Sequence, residues 1–356
     1  MSTFRMPAEW APHERTWMAW PGPNPTFADA AELREAREAW AAVARAVRRF
    51  EPVTVVHGPG QEASARELLG PGIDLVERDL DDAWMRDIGP TFVTDGTRLA
   101  AVDWVFNGWG AADWARWEHD AGIARQVADL AGVPVHSSPL VNEGGAVHVD
   151  GEGTVLLTDT VQLGPERNPG WTREQVEAEI HARLGTTKAI WLPRGLTGDY
   201  GRYGTRGHVD IVAAFARPGV VVAHTQPDPA HPDHEVCAAT VDLLRAQTDA
   251  RGRRLEVVEV PAPTVLRADG EWVDYSYINH YLCNGGVVLC AFDDPRDEIA
   301  AGIFRRLFPG RTVTLVDARA IFAGGGGIHC ITQQQPKVPG TGGPRGRGPG
   351  GPGAIG

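Results

Sequence analysis

The chain has 356 residues, a net charge of −12, 42% hydrophobic and 22% charged residues. That is an ordinary globular composition, long enough to bury a large core, and its acidic balance argues against nucleic acid or an anionic membrane as partner. No run of about 18 apolar residues is present to span a bilayer, and MSTFRMPAEWAPHERTW lacks the basic start and apolar run of a signal peptide, so a cytoplasmic location is expected.

In chain order, helical apolar spacing behind Asp29 predicts a helix over 28–50. Trp84-Met85-Arg86-Asp87 then leads into PTFVTDGTRLAAVDW, which reads as two short strands joined at Asp95-Gly96. A second helix is predicted over 113–131. Asn142-Glu143-Gly144-Gly145 opens the next strand pair, AVHVDGEGTVLLT, with its turn at Asp150-Gly151. Thr172-Arg173-Glu174-Gln175 has the form of a capping box and starts a helix to about Leu184. Gly207-His208-Val209-Asp210 precedes IVAAFARPGVVVAHT, and Pro232 begins a helix to about Ala250. Tyr275-Ser276-Tyr277 leads into INHYLCNGGVVLCAF, with its turn at Asn284-Gly285. A last helix is expected from Asp294-Pro295 to Pro309-Gly310, before Gly324-Gly325-Gly326-Gly327-Ile328-His329-Cys330.

Five segments thus share one plan, a polar cluster followed by short apolar strands, at intervals of about 50–70 residues. Helices alternate with them. The pattern predicts an α/β protein with radial repetition, each unit turning its polar cluster toward a common centre, in a single catalytic domain over 1–338. Residues 339–356, PGTGGPRGRGPGGPGAIG, read as a disordered Pro/Gly-rich tail.

Four successive glycines suit neither helix nor strand, but they suit a backbone that must approach a ligand closely. They deliver Cys330. Cys237, Cys283 and Cys290 fall in a predicted helix and strands, show no paired spacing, and read as reduced core residues. If the units are radial, Cys330, His208, Asp87, Asp210 and Glu143 converge. A thiol is a nucleophile, and an imidazole exchanges protons near neutral pH. Carboxylates raise a thiol's pKa, which is unhelpful unless the substrate is a cation that restores charge balance. A guanidinium fits, being planar and able to bind carboxylates in bidentate fashion.

These motifs resemble the agmatine deiminase family of the guanidino-group-modifying (pentein) superfamily. RMPAEWAPHERTWMAWP, DDAWMRDIGPTFV, NEGGAVHVDGEGT, GHVD and GGGGIHCITQQQP stand in family order from Arg5 to about Pro336. The resemblance implies a five-bladed α/β propeller of ββαβ units and deimination of agmatine. It implies Cys330 as nucleophile, His208 as general acid and base, and Glu143 as its orienting partner. Asp87 and Asp210 become guanidinium clamps, with Trp84 as a pocket wall and Gly326 beside it. It further implies no metal or organic cofactor, a small cationic guanidino substrate and a homo-oligomer. Gly327 stands where an asparagine is usual, the continuation after Asn107-Gly108-Trp109-Gly110 is unusual, and Arg202 and Arg206 occupy a loop that tends to be acidic. Arginines facing the pocket would repel an amine and suit a guanidino acid; turned to solvent, they leave agmatine the fitting substrate, and Asp199 and Tyr200 remain available to the amine.

Three other readings fit parts of the chain. Another guanidino-modifying enzyme, such as an amidinotransferase, shares the chemistry. A binding propeller like the ribosome anti-association factors shares the architecture without needing the reactive set. His224, His231, Asp233 and His234 lack metal-type spacing and read as a solvated helix start.

Overall fold

The predicted turns close hairpins because their glycines supply positive φ, 92° at Gly96 and 76° at Gly285, which matches the twist of the flanking strands. The computed structural model describes residues 4–338 apart from Asp269; the tail predicted over 339–356 lies outside the described residues.

Among the described residues, five sheets repeat one pattern. Thr91–Thr94 pairs antiparallel with Leu99–Val105, which pairs parallel with Val135–Val141. The same order recurs in His148–Val149, Thr154–Thr158 and Lys188–Leu192, and in Ala213–Arg217, Val220–Thr225 and Glu256–Pro261. It recurs again in Tyr281–Cys283, Gly286–Ala291 and Thr312–Asp317. A helix links each second strand to the third, as parallel pairing requires. The fifth sheet joins the two ends of the sequence. Gln333–Pro336 pairs antiparallel with His13–Ala19, which pairs parallel with Val53–His57, and that strand with Asp74–Glu77. No described sheet closes on itself. A separate hairpin, Arg267–Ala268 with Glu271–Trp272, stands apart.

The helices cover the sheets with their apolar faces. Ala30–Arg48 buries Leu33, Trp40, Val43 and Val47, and Asp29 caps it by accepting from Ala31 and Glu32 N–H. Arg173–Leu184 carries both halves of the Thr172/Gln175 capping box. The remaining predictions shorten at their ends: Asp233–Ala246 stops where Gln247 turns extended, and the helix expected as the last spans Asp297–Leu307 and is followed by a further short helix, Arg319–Ala323. One is corrected more deeply. Only Ile123–Ala131 of the helix predicted over 113–131 is α-helical, after a short 3₁₀ turn at Asp120–Gly122. Trp114 is drawn onto Trp109, with ring centroids 5.2 Å apart and stacked, and Trp117 fills the space against Gly108. Tertiary packing of two indoles overrides the local periodicity.

Cys237, Cys283 and Cys290 lie in helix and strands and are buried, as expected. His231 and Asp233 are also buried, against the solvated helix start read from the sequence. Asp233 accepts from Thr197 N–H and hydroxyl at 2.8 and 2.6 Å, so it ties down the loop ahead of His208.

Thr172→Ala removes one half of the capping box and is expected to destabilise the protein by about 1 kcal/mol. Thermal denaturation will show a small drop in Tm; an unchanged Tm would mean that packing alone holds this helix start.

Candidate functional site

Each sheet places a polar turn immediately before its first strand. Asp87 lies on the single helical turn Met85–Ile88, ahead of Thr91–Thr94. Glu143 precedes the 3₁₀ turn Gly144–Ala146 and the strand His148–Val149. His208 and Asp210 flank and occupy the turn Val209–Ile211 before Ala213–Arg217. Asn279 stands before Tyr281–Cys283, and Cys330 before Gln333–Pro336. These equivalent positions meet.

The predicted residues form one cluster, with exposures of 0 to 6%. His208 Nε2 lies 3.3 Å from Glu143 Oε2, and its Nδ1 lies 3.9 Å from Asp87 Oδ1. Cys330 Sγ is 3.7 Å from Asp210 Oδ2. Two buried atoms in the cluster, His208 Nδ1 and Asp210 Oδ1, have no hydrogen-bond partner, which is how a site looks when a polar ligand supplies the missing bonds. Close backbone approach makes the cluster possible. A Cβ on Gly145 would come within 2.6 Å of His208 Nδ1 and 3.0 Å of both Asp87 Oδ1 and Asp210 Oδ2. A Cβ on Gly326 would meet Trp84 Cζ3 at 2.8 Å and Cys330 Sγ at 3.0 Å, so Trp84 and the glycine run pack directly beside the sulfur.

Each carboxylate is held differently. Glu143 receives Arg167 Nε on both oxygens, at 2.9 and 3.1 Å. Burial opposes its charge, but Arg167 and His208 outweigh burial and hold its pKa down at about 2. Asp210 Oδ2 accepts from His329 Nδ1 at 2.7 Å, and His329 Nε2 reaches Glu9 Oε2 at 2.9 Å. Burial again works against the charge of Asp210, and the His329 imidazole overcomes it, leaving the pKa low. Asp87 has only neutral donors, Trp109 Nε1–H to Oδ2 at 2.9 Å and Gly145 N–H to Oδ1 at 3.0 Å. Its pKa is raised, by burial first and then by Asp210 and Glu143 against the pull of His208. His208 itself rises to about 9, because Asp87 and Glu143 outweigh its burial. Burial, Asp210 and Asp87 together push the Cys330 thiol well up. The resting cluster therefore holds a protonated imidazole and a neutral thiol.

Several partners escaped the sequence. Asn279 donates to Cys330 Sγ at 3.3 Å, and its Oδ1 accepts from His329 N–H at 2.9 Å. Its place in the fourth repeat was the one available signal. Arg167 lies in a loop with no motif. Arg86 does not pair with Asp87; it reaches Gln334 Oε1 at 2.8 Å, His329 O at 3.2 Å and Glu9 at 3.8 Å. The loop residues flagged in the sequence face elsewhere. Arg206 is exposed and pairs with Glu166 at 3.2 Å, and Arg202 lies over the Tyr203 ring at 5.0 Å. Asp199 is consumed by Thr205, accepting from its N–H and hydroxyl at 2.7 and 2.9 Å, and Tyr200 Oη bonds Thr160 Oγ1 at 3.0 Å; neither is free for an amine. No described helix is long and apolar enough to cross a membrane.

Comparison with known proteins gives one consistent relationship. Residues 5–336 match the family model of the Porphyromonas-type peptidyl-arginine deiminases. A Streptomyces coelicolor protein, provisionally named an agmatine deiminase, is 82% identical over 338 residues, covering 94% of this chain and all of that one. The agmatine deiminase of Stutzerimonas stutzeri is 42% identical over 357 residues, covering 94% and 95%. The solved agmatine deiminase of Enterococcus faecalis superposes with a TM-score of 0.89 at 33% identity, covering 94% of this chain and 96% of that one.

The charge pattern has a consequence for stability. His208 gains stability from its carboxylates in full below its ordinary pKa of 6.5, and loses it as pH rises through about 9. Glu143 contributes above 4.5 and loses its share as pH falls toward 2. Urea unfolding of the wild type is therefore expected to weaken between pH 6.5 and 9, and His208→Gln is expected to flatten that limb. Equal pH slopes in the two proteins would place the buried charge elsewhere.

Proposed function

The chain belongs to the Porphyromonas-type peptidyl-arginine deiminase family, and from its site we propose that it is an agmatine deiminase, hydrolysing the guanidinium of agmatine to N-carbamoylputrescine and ammonia. The observation that carries this reading is the meeting of a thiol, an imidazole and three carboxylates around two unpartnered polar atoms in a buried cluster. The outward arginines support agmatine over a guanidino acid, since Arg206 is paired with Glu166 and Arg202 is exposed. The repeated sheets suit the blades of a five-bladed propeller with this cluster at its centre.

In this reading Asp87 and Asp210 clamp the guanidinium, Trp84 walls it, and Gly326 lets the backbone pass beside it. The clamp presents the central carbon to Cys330 in a near-attack pose. The arriving cation offsets the carboxylates that hold the thiol neutral, so the thiol gives its proton to water and the thiolate forms with the substrate in place. Sulfur attacks the carbon to give a tetrahedral adduct. His208, protonated at neutral pH and oriented by Glu143, gives its proton to the departing nitrogen, and the C–N bond breaks to release ammonia. A thiouronium remains on Cys330. His208, now neutral, takes a proton from water as the oxygen adds to the same carbon. The C–S bond then breaks as the adduct's hydroxyl proton passes to sulfur, which releases the carbamoyl product and restores the thiol.

Purified protein is expected to release ammonia and the ureido product from agmatine, and far less from arginine or 4-guanidinobutyrate. Preference for 4-guanidinobutyrate would overturn the substrate assignment. Cys330→Ala is expected to abolish turnover, and His208→Ala to lower it about 10²–10⁴-fold while the fold persists. Steady-state activity surviving in Cys330→Ala would discard the covalent route.

A further inference from the structure

Residues Gly108–Ala111 form one turn of left-handed helix. Their φ angles are 68°, 56°, 86° and 54°. The turn is closed by Ala111 N–H to Asn107 O at 2.9 Å and Ala112 N–H to Gly108 O at 3.0 Å. Two of the four, Trp109 and Ala111, are not glycine, and a left-handed conformation costs an L-residue roughly 1–2 kcal/mol. Strain of this kind persists only where the surroundings enforce it, and it concentrates at functional sites. Sheet construction does not call for it, because the equivalent connections of the other sheets hold no run of positive φ among the described residues.

The turn delivers one group to the site. Trp109 is buried, and its indole N–H donates to Asp87 Oδ2 at 2.9 Å. Its ring is fixed by an edge contact with Phe106, centroids 5.0 Å apart, and by the Trp114 stack. Asn107 pins the turn from both sides: its Oδ1 accepts from Gly110 N–H at 2.9 Å, and its Nδ2 donates to Glu166 O at 3.0 Å. Gly145 N–H occupies the other Asp87 oxygen. The ionisable groups that bear on Asp87 are His208, Asp210, Glu143 and the Cys330 thiol.

We propose that Trp109 is a positioning residue for Asp87, and that the left-handed turn serves to bring its indole N–H onto the carboxylate. The carboxylate is then fixed by two neutral donors, with His208 at 3.9 Å as the one facing cation beyond hydrogen-bond distance, and a charged hydrogen bond is left for the guanidinium to make. This rests on the reading of Asp87 as a clamp. A cationic donor in the same place would fix the carboxylate equally well and would cancel the charge that the substrate needs.

The test is a double-mutant cycle on agmatine binding, read by calorimetry in the full-length Cys330→Ala protein, where no turnover occurs. Trp109→Phe keeps an aromatic ring, smaller than the indole, and removes the donor. It is expected to weaken agmatine about tenfold at pH 7, the loss of one hydrogen bond to a charged group. The loss is expected to grow as pH falls, because Asp87 without its indole donor takes up a proton at higher pH. With Asp87→Asn already present, Trp109→Phe is expected to add nothing. Affinity within twofold of the parent, or an equal loss in the Asp87→Asn background, overturns the proposal and leaves Trp109 a pocket wall. Unchanged affinity in Asp87→Asn alone overturns the clamp reading itself. Should Trp109→Phe fail to fold by circular dichroism, Asn107→Ala loosens the turn while keeping every ring, and the same pair of outcomes decides.

Discussion

The structure turns on the burial of like charges beside a sulfur. Asp87, Asp210 and Glu143 come together out of water around Cys330 and His208, an arrangement that is unfavourable unless each charge is answered. The answers are unequal. Glu143 has a full guanidinium partner in Arg167, and Asp210 has His329, itself backed by Glu9. Asp87 has two neutral donors. Asp87 is thus the one carboxylate of the three with no charged hydrogen-bond donor, its nearest cation being the His208 imidazole 3.9 Å away, and it is the one best placed to take a cationic donor from substrate.

The repeated sheets make this possible without a long-range loop. A short turn ahead of each first strand carries one or two polar groups, so five similar units aim carboxylates, an imidazole, an amide and a thiol inward. Precision then comes from missing atoms as much as from side chains. Gly145 sits against three reactive groups and Gly326 against the sulfur, and neither has room for a methyl group. The first sheet's connection departs from the shared plan at Gly108–Ala111, and the departure ends at Asp87.

Much of this was legible in the sequence, and the limits have a physical pattern. Hairpins at Asp95-Gly96 and Asn284-Gly285, the Asp29 cap and the Thr172 capping box depend on residues a few positions apart, so local chemistry reveals them. The reactive residues stand out because the repeats place them at equivalent points. What stayed hidden depends on distant partners. Glu9 and His329 are 320 positions apart, and Arg86 and Gln334 are 248 apart. Arg167 has no motif to mark it. The fifth sheet is completed by the N-terminal strand His13–Ala19, which no single repeat contains. The segment 113–122 read as helix because its periodicity is helical, yet the stacking of Trp114 on Trp109 decides its course.

The unequal pairing also orders events in time. A thiol raised by burial, Asp210 and Asp87 is mostly protonated at neutral pH. Oxidants and adventitious electrophiles react with thiolates, so the resting sulfur is chemically quiet. His208 carries its proton at the same pH, with a pKa near 9. A guanidinium between Asp87 and Asp210 weakens both carboxylate fields at once, which lowers the cost of ionising the sulfur. Neutralising Glu143 instead would leave those two fields on the sulfur in place, and it would remove one of the anions, with Asp87, that keep His208 charged. One binding event at Asp87 and Asp210 therefore favours ionisation of the sulfur and, by weakening the Asp87 field on His208, also eases the imidazolium's proton toward the departing nitrogen, while Glu143 stays beside the ring.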